Sequence, residues 1–205
     1  MKAKRIYGLA LFLVSLVLIT AFSSAVYAKY IKKTDFKGNT VTIQADLAKD
    51  FKIVESEAIR DALGEYSLVS DTEVSGNEYI LMPGVDIPKN PKVVIEDKTA
   101  LPAYLYVEIV DTNTDNAITY TLSDWWIKLD IKGVNGGTLY VYNAVLDGST
   151  PDVSIGILKG NTVFVSETLN HAGKAFSIKF HAYLLQTPDS TSDETTIFKN
   201  AFGLS

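Results

Sequence analysis

The sequence predicts an all-β fold, an antiparallel sandwich or barrel, on three observations. Among 205 residues, 11 Tyr and 9 Phe stand beside many Val, Ile and Thr, the side chains that fit a pleated, half-buried surface. Apolar and polar residues alternate over many short runs, the period of a strand with one buried face. Clusters of Gly, Pro, Asn and Asp separate those runs at short intervals, which is turn chemistry. A chain that is 47% hydrophobic and 21% charged suits one domain with a sizeable core.

The first 28 residues stand apart. Lys2, Lys4 and Arg5 form a positive start, no charge occurs from Ile6 to Ala28, and small residues Ser23, Ser24 and Ala25 follow the apolar stretch Leu9 to Phe22. This is the pattern of an export signal, residues 1–28, with cleavage between Ala28 and Lys29 or after Ala25. A charge-free run of this length is also long enough for an uncleaved membrane anchor. Removal of the signal takes three of the 19 basic residues, leaving 16 against 24 acidic ones, a net charge of about −8. That balance argues against a nucleic-acid partner, which needs a basic stripe. It fits a surface kept soluble by like charge.

Residues 29–37 read as an extended arm carrying Tyr30, Ile31 and Phe36, ahead of the turn-like Lys37-Gly38-Asn39 and a domain spanning 38–205. Val41, Ile43 and Ala45 alternate with polar neighbours as a strand. Ser56 to Leu63 predicts a short helix, with Ser56 as N-cap, Ala58, Ile59, Ala62 and Leu63 on one face and Gly64 at its end. Tyr79 to Met82 predicts a strand stopped by Pro83-Gly84, and Pro88 and Pro91 confine the next stretch to a sheet edge or a connection. Further strands are predicted at Val93 to Ile95, Ala103 to Val110, Ile118 to Leu122, Trp125 to Ile131, Thr138 to Tyr142, Val153 to Leu158, Thr162 to Thr168 and Ala175 to Leu185. Asp193 to Phe202 predicts a helix ending at Gly203. No internal repeat or second domain emerges.

Catalytic signatures are scarce. The chain has no cysteine, hence no disulfide, thiolate nucleophile or Cys-ligated zinc. Its two histidines, His171 and His181, form no HExxH pair, and two imidazoles without a third ligand make no catalytic zinc site. No GxSxG elbow and no phosphate-cradling glycine loop is present. Asp111 to Asn116 places oxygen-bearing side chains at alternate positions like the start of a calcium loop. Asn116 stands where that loop needs Gly, however, and Leu122 where it needs Glu. A plain hairpin loop is the expected reading. Trp125 and Trp126 point to opposite sides of a strand, so one is expected in the core and the other at the surface, which argues against a continuous glycan-binding face. No metal, cofactor or catalytic residue is assigned.

The order of several weak motifs carries a resemblance. Tyr27-Ala28-Lys29-Tyr30 and Thr34-Asp35-Phe36, Met82-Pro83-Gly84 with Pro88 and Pro91, Ala103-Tyr104-Leu105-Tyr106-Val107, Leu122-Ser123-Asp124-Trp125, Tyr140-Val141-Tyr142-Asn143, and Ala182-Tyr183-Leu184-Leu185-Gln186 ahead of Ala201-Phe202-Gly203 together resemble the TasA and camelysin-like exported proteins. The likeness spans nearly the whole chain. It implies a jelly-roll-like antiparallel β-sandwich with a few short peripheral helices and secretion through a dedicated signal peptidase. It also implies a structural role in extracellular biofilm matrix fibres, in the matrix or at the cell surface. The expected partners are copies of the chain itself, with an accessory matrix or anchoring protein. Assembly would proceed head to tail by donor-strand complementation, with the arm bearing Tyr30, Ile31 and Phe36 filling a neighbour's sheet. This arm departs from the family in being basic and weakly alternating. Two other functions stay open: a camelysin-like cell-surface metallopeptidase, against which the missing zinc motif weighs, and a non-polymerising adhesin on the same fold.

Overall fold

A computed structural model of the chain describes residues 32–35, 39–43, 47–113, 116–149, 152–168, 176–187 and 193–204. It is an all-β sandwich. The largest sheet has five strands in the order β11 (Trp126–Lys132), β12 (Thr138–Tyr142), β9 (Ala103–Asp111), β15 (Ile178–Gln186) and β2 (Thr40–Ile43). All its neighbours are antiparallel except β15 and β2, which run parallel. Two three-stranded sheets complete the core: β13 (Val153–Gly156), β8 (Lys92–Glu96) and β3 (Asp50–Val54), and β10 (Ile118–Thr119), β14 (Thr162–Val165) and β7 (Asp86–Pro88). Two strand pairs lie beside them, β4 (Ala58–Arg60) with β5 (Tyr66–Leu68), and β1 (Lys32–Asp35) with β6 (Glu78–Leu81).

The period-2 pattern explains where the core sits. Along β9, Ala103, Leu105, Val107 and Ile109 face inward with Phe180, Ala182 and Leu184 of β15. They meet Phe51, Ile53, Val93, Ile95, Ile87, Val163 and Val165 from the smaller sheets in one buried cluster. The opposite face of β9 and β15 is also buried, which alternation alone does not reveal. Tyr106, Tyr183 and Leu185, with Leu139 and Val141 of β12, are covered by Ile197 and Phe198 of the helix α1 (Glu194–Phe202). The Phe198 ring lies 5.1 Å from Tyr106 and 5.2 Å from Tyr183, centroid to centroid. Complete burial of such a ring contributes about 2–3 kcal/mol.

The predicted terminal helix forms for the reasons the sequence suggests. The Asp193 carboxylate accepts from the Thr196 N–H, and Gly203 adopts a left-handed φ of 63° that returns its N–H to the Lys199 carbonyl. Asp193→Ala is expected to destabilise the protein by about 1 kcal/mol in urea unfolding. Trp126 is buried and bonded through Nε1 to the Gly156 carbonyl, whereas Trp125 is 57% exposed. The pair thus divides between core and surface. Pro88 lies on β7, which pairs with β14 alone and is an edge.

One predicted element is overturned. Ser56 to Leu63 is no helix but the first arm of a β-hairpin, with Ile59 facing Ser67. Asparagine side chains outside the segment capture its backbone: Asn90 Oδ1 accepts the Ser56 N–H and Asn77 Oδ1 accepts the Ala58 N–H. Asp61 Oδ1 then accepts from the N–H groups of Leu63 and Glu65, closing the hairpin where a helix would have continued. A segment of two turns has little intrinsic helical stability to set against such partners.

Candidate assembly edge around β6

Strand β6 begins at a buried polar knot. The Glu55 carboxylate accepts the Asn77 N–H at 3.0 Å and the Lys89 ammonium at 2.8 and 3.0 Å. Glu55 and Lys89 are both fully buried. Burial pulls the Lys89 pKa below its ordinary value, and the charge and hydrogen bonds of Glu55 oppose that pull. The Tyr79 and Phe180 rings lie 5.8 and 5.7 Å from Lys89 Nζ. The Asn77 side chain meanwhile clamps the entry to β4, donating to the Ser56 carbonyl and accepting from Ala58.

Further along β6, Tyr79 and Leu81 point into the core and Ile80 is half-buried. The Tyr79 hydroxyl donates to the Pro88 carbonyl at 2.9 Å. Burial raises the Tyr79 pKa, and the nearby Glu55 charge raises it further. The Ile80 N–H donates to the Tyr66 hydroxyl at 2.7 Å. One edge of β6 is therefore closed by a side chain. The other edge carries β1, in the register Lys32 to Leu81, Lys33 to Ile80, Thr34 to Tyr79 and Asp35 to Glu78. Because the Ile80 N–H is turned toward Tyr66, Lys33 and Ile80 form a non-hydrogen-bonded pair, the arrangement in which facing Cα atoms stand closest.

Other edges carry features that discourage pairing. On β11, Lys128, Asp130 and Lys132 are exposed, and its register with β12 shifts between Lys128 and Lys132. Edge charges and bulges of this kind are common defences against edge-to-edge association. Pro88 removes a donor from β7, and β10 is two residues long. β6 has no proline and no register shift, and its one charged residue is Glu78 at its start; the arm covers it.

Of the residues the sequence pointed to, Tyr30, Ile31, Phe36, Ala28, Lys29 and His171 lie outside the described residues. The described part of the arm is Lys32–Asp35, paired with β6 of its own chain. Both Asp111 oxygens are engaged, Oδ1 by the Asn113 N–H at 2.6 Å and Oδ2 by the Tyr120 hydroxyl at 3.1 Å. Asn113 further grips both backbone groups of Ile118. These bonds are Asx-turn chemistry, but the loop is not the expected hairpin: β9 and β10 lie in different sheets, so it carries the chain from one sheet to the other. Among the described residues, no three His, Cys, Asp or Glu side chains group as a metal site.

His181 is buried in β15, facing Glu108 across the ladder to β9. Burial lowers its pKa; the Glu108 charge opposes the shift and Lys179 adds to it. A depressed folded pKa means the unfolded chain binds the proton more readily. His181 thus adds stability that is full above about pH 6.5 and is lost as pH falls through the depressed folded value. Chemical denaturation between pH 5 and 7.5 should show stability rising with pH, and His181→Asn should flatten that slope.

Sequence reasoning missed the Glu55 and Lys89 pair. Glu55 follows the apolar Ile53 and Val54 where a strand ends, and Lys89 sits between Pro88 and Pro91; both read locally as surface. Compared with protein-family models, curated proteins and solved structures, the chain matches none.

Proposed function

We propose that the protein is a secreted structural subunit of an extracellular matrix filament, joined head to tail by exchange of the N-terminal arm between copies. The jelly-roll-like reading of its sandwich belongs to the same proposal. The observation that carries it is that β6, whose core-facing Tyr79 and Leu81 are fully buried, has β1 as its strand partner, on a segment that signal removal leaves near a free N-terminus. Exchange then replaces like with like. The neighbour's Lys32–Asp35 would take the same register on β6, so no contact is lost, and a head-to-tail contact that does not close gives a filament.

The balance is set by concentration. A tethered arm meets its own β6 at an effective concentration on the order of millimolar. Monomers are thus favoured when dilute and filaments when the protein is concentrated at a cell surface. Negative-stain electron microscopy of the mature protein should show filaments above a threshold concentration. The form lacking residues 29–36 should stay folded by circular dichroism and remain monomeric. Filaments from the truncated form would reject the arm as the joint.

The non-polymerising adhesin keeps standing as a second reading, because the arm is paired at home, as a permanent monomer requires. Absence of filaments at any concentration of mature protein would favour it. The metallopeptidase reading has no cluster of ligands behind it among the described residues.

A further inference from the structure

The arm and the strand that follows it belong to different sheets. β1 lies on β6, whereas β2 runs parallel to β15 in the five-stranded sheet, with Thr40 beside His181 and Ile43 beside Leu184. Asn39 stands immediately before β2, and its side chain bonds in two directions. Oδ1 accepts the N–H of Phe180, a fully buried residue of β15, at 3.0 Å. Nδ2 donates to the carbonyl of Ser75, two residues before Asn77, at 2.9 Å. One carboxamide therefore prolongs the pairing of β2 along β15 and ties that point to the segment entering β6.

The geometry points to Asn39 as the post on which the arm pivots, so that the segment a second copy receives on its β6 edge is β1 alone, while β2 stays at home. This rests on the strand-exchange reading above and specifies which piece is exchanged.

Opening β1 breaks a four-residue ladder at an edge. Opening β2 as well would break a second four-residue ladder and strip the Phe180 N–H of its acceptor inside the sheet. A buried donor without a partner is among the costliest polar defects, so the path of exchange stops at Asn39. Reach then fixes how near the neighbour stands. Between Asp35, the last residue of β1, and Asn39 only Phe36, Lys37 and Gly38 intervene, a span of at most about 13–14 Å when fully extended. The receiving β6 must therefore abut the donor at Asn39.

Two cysteine pairs in the otherwise cysteine-free chain test the assignment. Lys33→Cys with Ile80→Cys spans β1 and β6, and Val41→Cys with Ala182→Cys spans β2 and β15. Each variant is assembled reduced, then oxidised as filaments and run on non-reducing gels, with peptide mass spectrometry to confirm the bonds. The expected result is a covalent ladder for the first pair and an internally bridged monomer for the second. Ladders from both would overturn the pivot and leave arm exchange standing. Monomers from both, or no filaments at all, would overturn exchange itself. Asn39→Ala in the second pair should convert part of the monomer band to ladder; no change would remove Asn39 from its role as the post.

Discussion

Lys89→Met is expected to destabilise the protein by about 3–5 kcal/mol, measured by urea unfolding, although methionine nearly matches the lysine stem in volume. The cost lies in what is left behind. Glu55 is fully buried and its carboxylate bonds Lys89 at two oxygens. Without the ammonium, a desolvated negative charge would face the Tyr79 and Phe180 rings. Replacing both partners, Glu55→Leu with Lys89→Met, removes the charge along with its counterion. The double variant should lose only about 1–3 kcal/mol, chiefly from stranding the Asn77 N–H that Glu55 accepts. The sign of the coupling identifies the physics. A single Lys89→Met within about 1 kcal/mol of wild type would mean that water or a rearranged side chain reaches Glu55, and the knot would not be the rigid base of β6 described above.

This pair also shows what a sequence conveys and what it withholds. Alternation along Ala103 to Val110 gives the strand β9 and the identity of its core-facing residues, because a strand's period is set by its own covalent geometry. The same holds for the helix at Glu194 to Phe202, where the cap residues and the apolar face are contiguous in the chain. Information of that kind is local. The second face of β9 is buried only because a helix some 90 residues later lies over it, and no local pattern records that. Ser56 to Leu63 fails for a related reason: its helical pattern is real but short, and Asn77 and Asn90, remote in sequence, offer its backbone better partners. The candidate edge was half legible. The arm is conspicuous as a polar-basic run after the segment that reads as an export signal, but nothing in Glu78 to Leu81 announces that it would be the arm's partner.

Gly133→Ala should cost about 2–6 kcal/mol, an unusually large effect for a loop glycine, and the reason is Glu108. This carboxylate is fully buried on β9, and its bonded partners among the described residues are neutral donors, not cations. It is instead wrapped by the loop between β11 and β12: the N–H groups of Asn135 and Gly137 donate to it at 2.8 and 2.7 Å, joined by the Asn135 carboxamide and the Tyr183 hydroxyl. The wrap is tight enough that a Cβ at Gly133 would fall inside the van der Waals surface of the Glu108 Cδ, and one at Gly137 would lie 2.5 Å from the Ile109 carbonyl oxygen. Glycine is required at 133 by close approach and not by φ. An added methyl must push either the loop or the carboxylate. Overpacking of that sort costs about 1–3 kcal/mol, and each buried donor pulled off its acceptor adds about 1–3 kcal/mol. Shortening the intruding side chain should relieve the clash, so Gly133→Ala combined with Glu108→Ala should lose measurably less than the sum of the two single losses in a double-mutant cycle. Strict additivity would show that the loop already yields to the methyl. The tight fit around Glu108 would then have no part in fixing how β11 turns into β12 at the edge of the large sheet.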